Sequence, residues 1–167
     1  QGRIIYICTN GVFMRKKMRD YLAAIYDASN ATHESYLTRL LADALISEKE
    51  ADAIRKPDAA ARKKVVIHPS QWLYWNVHVD GLEFTHDLIV EREGVFKECI
   101  AAIKMAKILG YQTATNTTVY KETDVQELED MFAFLSSLNV DGHTISPGYE
   151  YDAAKKDMVT RLGKQPE

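Results

Sequence analysis

Residues 71–80, QWLYWNVHVD, alternate in a way that decides the fold. Successive side chains of a strand point to opposite faces, so Leu73, Trp75, Val77 and Val79 share one face. Tyr74, Asn76, His78 and Asp80 share the other, and Gly81 ends the run. Residues 111–120, YQTATNTTVY, repeat the pattern with Thr113, Thr115 and Thr117 on one side and Asn116 and Thr118 on the other. Between the two, residues 94–109 carry helical spacing. Val95, Cys99, Ile103 and Ala106 form a stripe with Phe96 and Ile100 beside it, and Gly110 stands where a helix stops.

Working outward, residues 4–8 (IIYIC) form a continuous apolar run, which reads as a strand covered on both faces. Thr9-Asn10-Gly11 breaks it, and residues 12–25 read as a helix with Phe13, Lys17 and Arg19 turned to solvent. On the far side, residues 124–138 read as a helix capped by Thr123 or Asp124, with Leu128, Met131, Phe132 and Leu135 inward. Residues 140–146 supply a last strand, closed by Pro147-Gly148. Strands alternating with helices imply an α/β fold with parallel strands and right-handed crossovers. A helical insertion occupies about residues 21–70. Leu37, Leu40, Leu41, Ala44 and Leu45 fall at helical spacing there, Ser47 and Glu50 form a capping box before Ala51 and Ile54, and Arg62-Lys63-Lys64 reads as a solvated basic patch.

Composition sets the outer bounds. The 167 residues are 46% hydrophobic and 27% charged, as in one globular domain, and residues 1–167 are read as such. Twenty-one Lys and Arg against 24 Asp and Glu give a net charge of -3, which argues against bulk electrostatic binding of nucleic acid. No apolar run approaches the roughly 20 residues of a transmembrane segment. Two cysteines, Cys8 and Cys99, make no disulfide framework, so a reducing cytoplasm is the expected setting.

The polar rows of the two alternating strands need an explanation, since buried polar groups require partners. A barrel or part-barrel holding a polar ligand near the carboxyl ends of its strands supplies one. Each strand end carries hydrogen-bonding residues: Cys8-Thr9-Asn10, His78-Val79-Asp80, Asn116-Thr117-Thr118 and Ser146-Pro147-Gly148-Tyr149. The plainer reading makes these turn and cap residues. Four strands do not close a barrel and leave two open edges, so the chain is expected to be the central and later part of a larger barrel.

Four stretches together carry a resemblance. ICTNG (residues 7–11), NVHVDGLEFTHD (76–87) with REGVF (92–96), YQTATNTTVY (111–120) and DGHTISPGYEY (141–151) resemble the middle and later strands of a radical SAM enzyme. The branch is that of hopanoid biosynthesis, the adenosylhopene synthase-like proteins. The resemblance implies a partial (β/α) barrel of the radical SAM type that uses S-adenosylmethionine and a [4Fe–4S] cluster. In that branch a 5′-deoxyadenosyl radical adds to the alkene of hopene. The implied partners are an apolar, hopene-like lipid and a reductase or ferredoxin as electron donor. The implied location is the cytoplasm or the periphery of the inner membrane. Carried over residue by residue, Cys8 matches a cysteine placed to hand a hydrogen atom to the adduct radical. Asn10, Asn76, His78, Asn116, Thr118 and Ser146 match positions that hold the cofactor.

The sequence also departs from that family. It has no CxxxCxxC cluster motif and no Gly-Gly-Glu segment, so the cluster ligands are not in this chain and activity of the isolated chain is not expected. Two other readings stay open: a metal-dependent βα-barrel hydrolase using His78, Asp80 and His86, and a non-catalytic degenerate barrel that serves as a binding module.

Overall fold

The structure is a computed structural model and describes residues 3–148. Its elements run β1 (Ile5–Thr9), α1 (Met14–Ile25), α2 (Ala31–Ala42), α3 (Glu48–Arg55), α4 (Ala59–Arg62), β2 (Leu73–His78), α5 (Glu83–Ile89), α6 (Val95–Ile108), β3 (Gln112–Val119), α7 (Val125–Ser137) and β4 (Gly142–Pro147). All four strands are parallel and adjacent in chain order, β1-β2-β3-β4. This is the expected α/β class. Among the described residues β1 and β4 are the two edges of the sheet.

Parallel neighbours joined in sequence by crossovers of one hand place every helix on the same face of the sheet. The core agrees. Trp75, Val77, Val79 and Tyr111 are buried in it, with Ile7 and Leu73 packed against it, and all belong to one side-chain row. In register, Cys8 pairs with Asn76 and Asn76 with Ala114; His78 pairs with Asn116; Thr118 pairs with Ser146. Lateral partners share a face, so this second set lies on the side that no helix covers among the described residues.

The centre of the helical layer is α6, apolar nearly all round. Val95, Phe96, Cys99, Ile100, Ala102, Ile103, Met105, Ala106 and Ile108 are buried. A helix buried over so wide an arc needs cover on both sides. The sheet supplies one side; α1 and the insertion supply the other, where Leu37 and Leu40 of α2 and Ala51 and Ile54 of α3 enter the same core. Arg15 of α1 ties the layers together, pairing with Glu98 at 2.9 Å and donating to the Leu45 carbonyl at 2.7 Å. Arg19 pairs with Glu50, so it is not the free solvent-facing residue its spacing suggested. The capping box is present as read: Ser47 accepts from the Glu50 N–H, and Glu50 accepts from the Ser47 N–H.

Boundaries shift by small amounts. The first helix starts at Met14 rather than residue 12, because Gly11 at φ +78° and Phe13 still belong to the turn. It runs on to Ile25, so the additional helices α2–α4 begin after it rather than at residue 21. Helix α2 starts at Ala31, where Asn30 caps it by accepting from the Thr32 N–H. Leu41 and Leu45 do not continue one helix, since Ala44 turns at φ +52° before α3.

The Thr113, Thr115 and Thr117 row lies under the helices and is buried. Its hydroxyls are satisfied within the fold. Thr117 Oγ1 donates to the Val79 carbonyl at 2.7 Å, Thr115 Oγ1 lies 2.7 Å from His143 Nδ1, and Thr113 Oγ1 donates to Asp141 at 3.5 Å. This polar row is therefore core, consistent with the rule that buried polar groups find partners.

Candidate functional site: the helix-free face of the sheet

The bare face is built rung by rung. The lowest rung bears Tyr6, Tyr74 and Gln112; the next bears Cys8, Asn76, Ala114 and Gly142. Above it come His78, Asn116 and Thr144, and then Thr118 and Ser146. Of the seven residues the sequence singled out, Cys8, Asn76, His78, Asn116, Thr118 and Ser146 are thus brought onto one face of adjacent strands.

The seventh, Asn10, lies just past β1 and serves the turn. Its Oδ1 accepts from the Val12 N–H at 3.4 Å, and its carbonyl accepts from the Cys99 thiol at 3.2 Å. Tyr149, at the last strand end, lies outside the described residues.

Side chains on this face are linked across strands. Asn76 Nδ2 donates to Cys8 Sγ at 3.7 Å, and Ser146 Oγ donates to Asn116 Oδ1 at 3.4 Å. Asn76 Oδ1 is buried and has no hydrogen-bond partner among the described residues. Next along its rung stand only Ala114 and Gly142, and a Cβ added to Gly142 would meet nothing within 4 Å. An unpartnered acceptor beside a floor of small residues is a place where a ligand's donor can fit.

The charged centre is a dyad. His78 Nε2 lies 2.6 Å from Asp80 Oδ2, and Asp80 Oδ1 accepts the Thr118 N–H at 2.7 Å. Asp80 is only 2% exposed, whereas the His78 side chain is 33% exposed. The hydrogen bond to Asp80 raises the His78 pKa above its ordinary value, outweighing the lowering by burial. The dyad thus presents a histidine inclined to carry a proton, backed by a buried carboxylate.

His86 behaves oppositely. It is 1% exposed, and burial holds its pKa down. Its Nδ1 accepts the Asp80 N–H at 3.2 Å, which leaves the ring proton on Nε2, 4.0 Å from Cys99 Sγ. His86 therefore points into the helical side of the core and fixes the backbone after β2. The trio His78, Asp80 and His86 does not converge as metal ligands. Among the described residues no group of three or more His, Cys, Asp or Glu side chains is placed to hold a metal ion. Cys99 is buried against Gly11, and burial pushes its thiol up to about 12.

The turn carrying the dyad is held by residues with no local motif to announce them. Glu127 of α7 accepts from the Leu82 N–H at 2.9 Å and from the Thr85 hydroxyl at 2.8 Å. Asp87 accepts from the N–H groups of Gly94 at 2.5 Å and Phe96 at 2.8 Å, capping α6 from outside that helix. Both contacts cross turns or whole elements, so spacing alone does not reveal them. No helix among the described residues is long and apolar enough to cross a membrane. Comparison of the chain with family models, with curated proteins and with solved structures returns no significant match to any of them.

Proposed function

We propose that this chain forms the cofactor- and substrate-facing part of a radical SAM enzyme, most like the adenosylhopene synthase-like branch of hopanoid biosynthesis. The observation that carries the reading is the common helix-free face shared by Cys8, Asn76, His78, Asn116, Thr118 and Ser146. A singly wound parallel sheet with helices on one side is the arrangement a part-barrel requires, and its bare face is the interior side.

The donor set suits S-adenosylmethionine. Asn76 Oδ1 is a buried acceptor without a partner among the described residues, Asn116 and Ser146 offer polar groups one and two rungs above, and His78 offers a ring N–H backed by Asp80. The cofactor's ribose hydroxyls, ammonium and carboxylate are complementary to these groups. The [4Fe–4S] cluster does not fit this chain. The sequence has two cysteines, and Cys99 is buried under the helical layer while Cys8 is exposed on the open face. When bound and reductively cleaved, S-adenosylmethionine supplies a 5′-deoxyadenosyl radical for addition to an alkene.

The role of this chain in that reading is to orient the cofactor through the three upper rungs and to give up the Cys8 Sγ hydrogen to the carbon radical left on an apolar, hopene-like lipid. A ferredoxin or reductase serves as electron donor, at the cytoplasmic side or the periphery of the inner membrane.

Titration of the chain with S-adenosylmethionine tests the binding part by nuclear magnetic resonance. The Asn76 and Asn116 side-chain amides and the His78 ring are expected to shift together and saturably. Absence of any shift at those residues up to millimolar ligand removes the reading.

A further inference from the structure

We infer that Asn76 is a positioning residue for the Cys8 thiol: its amide donates to the sulfur and leaves the thiol's single hydrogen free to point off the sheet. Cys8 and Asn76 are direct lateral partners in the β1–β2 register, and the Nδ2–Sγ separation is 3.7 Å, within reach for a sulfur acceptor. On the other side of Asn76 stands Ala114, which offers no polar group. Cys8 is exposed on the bare face, so its S–H can be directed outward.

The direction of this hydrogen bond matters. A thiol has one hydrogen and a weakly accepting sulfur. If the amide oxygen faced the sulfur, the S–H would be spent on it. With the amide nitrogen facing the sulfur, the hydrogen is available and any negative charge on sulfur is stabilised. The unpartnered Asn76 Oδ1 is the counterpart of that choice.

The use of this arrangement rests on the proposed function. A carbon-centred radical takes the hydrogen atom of the Cys8 S–H, the C–H bond forms as the S–H bond breaks, and the thiyl radical returns to thiol with one electron from a reduced iron–sulfur protein and one proton from water. The contact itself can be tested without that chemistry, so its failure is separable from failure of the radical SAM reading.

The test is the rate of Cys8 alkylation by iodoacetamide near neutrality, followed by intact mass in wild type, Asn76→Ala, Asn76→Ser and Asn76→Asp, with Cys8→Ser as background. Cys99 stays silent, since burial pushes its thiol up to about 12. Loss of the donor in Asn76→Ala should slow alkylation near neutrality about three- to tenfold, the order of one hydrogen bond to the reacting sulfur at a partly exposed site. Asn76→Ser, which keeps a donor, should recover part of the rate, and Asn76→Asp should slow it most. Equal rates for all variants, or faster alkylation in Asn76→Ala, would overturn the inference, the latter by showing that the oxygen faces the thiol. Should Asn76→Ala fail to fold, the Ser and Asp variants decide the matter by the same ordering.

Discussion

The two faces of the sheet carry polar residues at the same alternation but use them differently. Under the helices, Thr113, Thr115 and Thr117 are buried, and each hydroxyl is answered inside the protein. On the bare face, Asn76 Oδ1 has no partner and His78 keeps a third of its side chain exposed. A satisfied polar row stabilises the fold, whereas an incompletely satisfied one leaves hydrogen-bonding capacity for something else. Substitutions on the two sides should therefore separate stability from binding.

The largest effect belongs to the packed side. Ile103 on α6 is 0% exposed in the core, so Ile103→Ala should cost about 3–4 kcal/mol in urea unfolding. A cost below about 1 kcal/mol would mean that α6 is not the packed centre of the helical layer. Gly11→Ala should come next, at about 2–3 kcal/mol. Gly11 sits at φ +78°, and an added Cβ would lie 2.6 Å from Cys99 Sγ. Repeating it in a Cys99→Ala background removes the contact with sulfur but keeps the Cα at 3.1 Å and the Cβ at 3.3 Å, and should lower the cost to about 1–2 kcal/mol. Equal costs in both backgrounds would show that the thiol is not what fills that space.

The division into two faces was legible in the sequence because alternation in β2 and β3 is a local property of the chain. So were the Ser47–Glu50 capping box and the Gly110 stop, which depend on residues within one turn. What holds the site was not. His86 answers the Asp80 N–H from the next helix, and Glu127 reaches the β2–α5 turn from 45 residues away. These acidic and imidazole groups look the same in sequence whether they ligate, cap or face water. Only the tertiary arrangement tells His78, on the open face, from His86, turned into the core. The role of Thr113, Thr115 and Thr117 was hidden for the same reason, since Asp141 and His143 answer the first two from the start of β4 and the Val79 carbonyl answers the third from just past β2.

A smaller effect sits at the boundary between the faces. Asp80→Asn should cost about 1 kcal/mol, the scale of one charge-assisted hydrogen bond discounted for the partial exposure of His78. His78 gains its partner on folding, so its pKa is higher folded than unfolded, where it lies near 6.5. The stability from this contact is therefore full below about pH 6.5 and is lost as pH rises through the folded value. His86 runs the other way, because burial lowers its folded pKa and the fold loses stability as pH falls below about 6.5. Taking wild type minus Asp80→Asn at each pH removes the burial part of the second trend and keeps Asp80's pull on both rings, which has the sign of the first. The difference should shrink from pH 6 to pH 9, and a difference that grows over that range would contradict the dyad.

The smallest stability effect is the sharpest test of the comparison. Asn116 and Thr118 stand on the bare face, where the side-chain contact given up by Asn116 is a 3.4 Å hydrogen bond from Ser146. Asn116→Ala and Thr118→Ala should each change unfolding free energy by no more than about 0.5 kcal/mol, as for ordinary surface positions. On the proposed function, Asn116→Ala should weaken S-adenosylmethionine binding about tenfold, the equivalent of one hydrogen bond to the ligand. Thr117→Val, one residue away on the packed side, should do the reverse, costing about 1 kcal/mol of stability with binding unchanged, because its hydroxyl is committed to the Val79 carbonyl. If both neighbours instead moved stability and binding in parallel, the faces would not be functionally distinct. The polar residues of β3 would then be a single structural layer rather than a core row backed onto a binding surface.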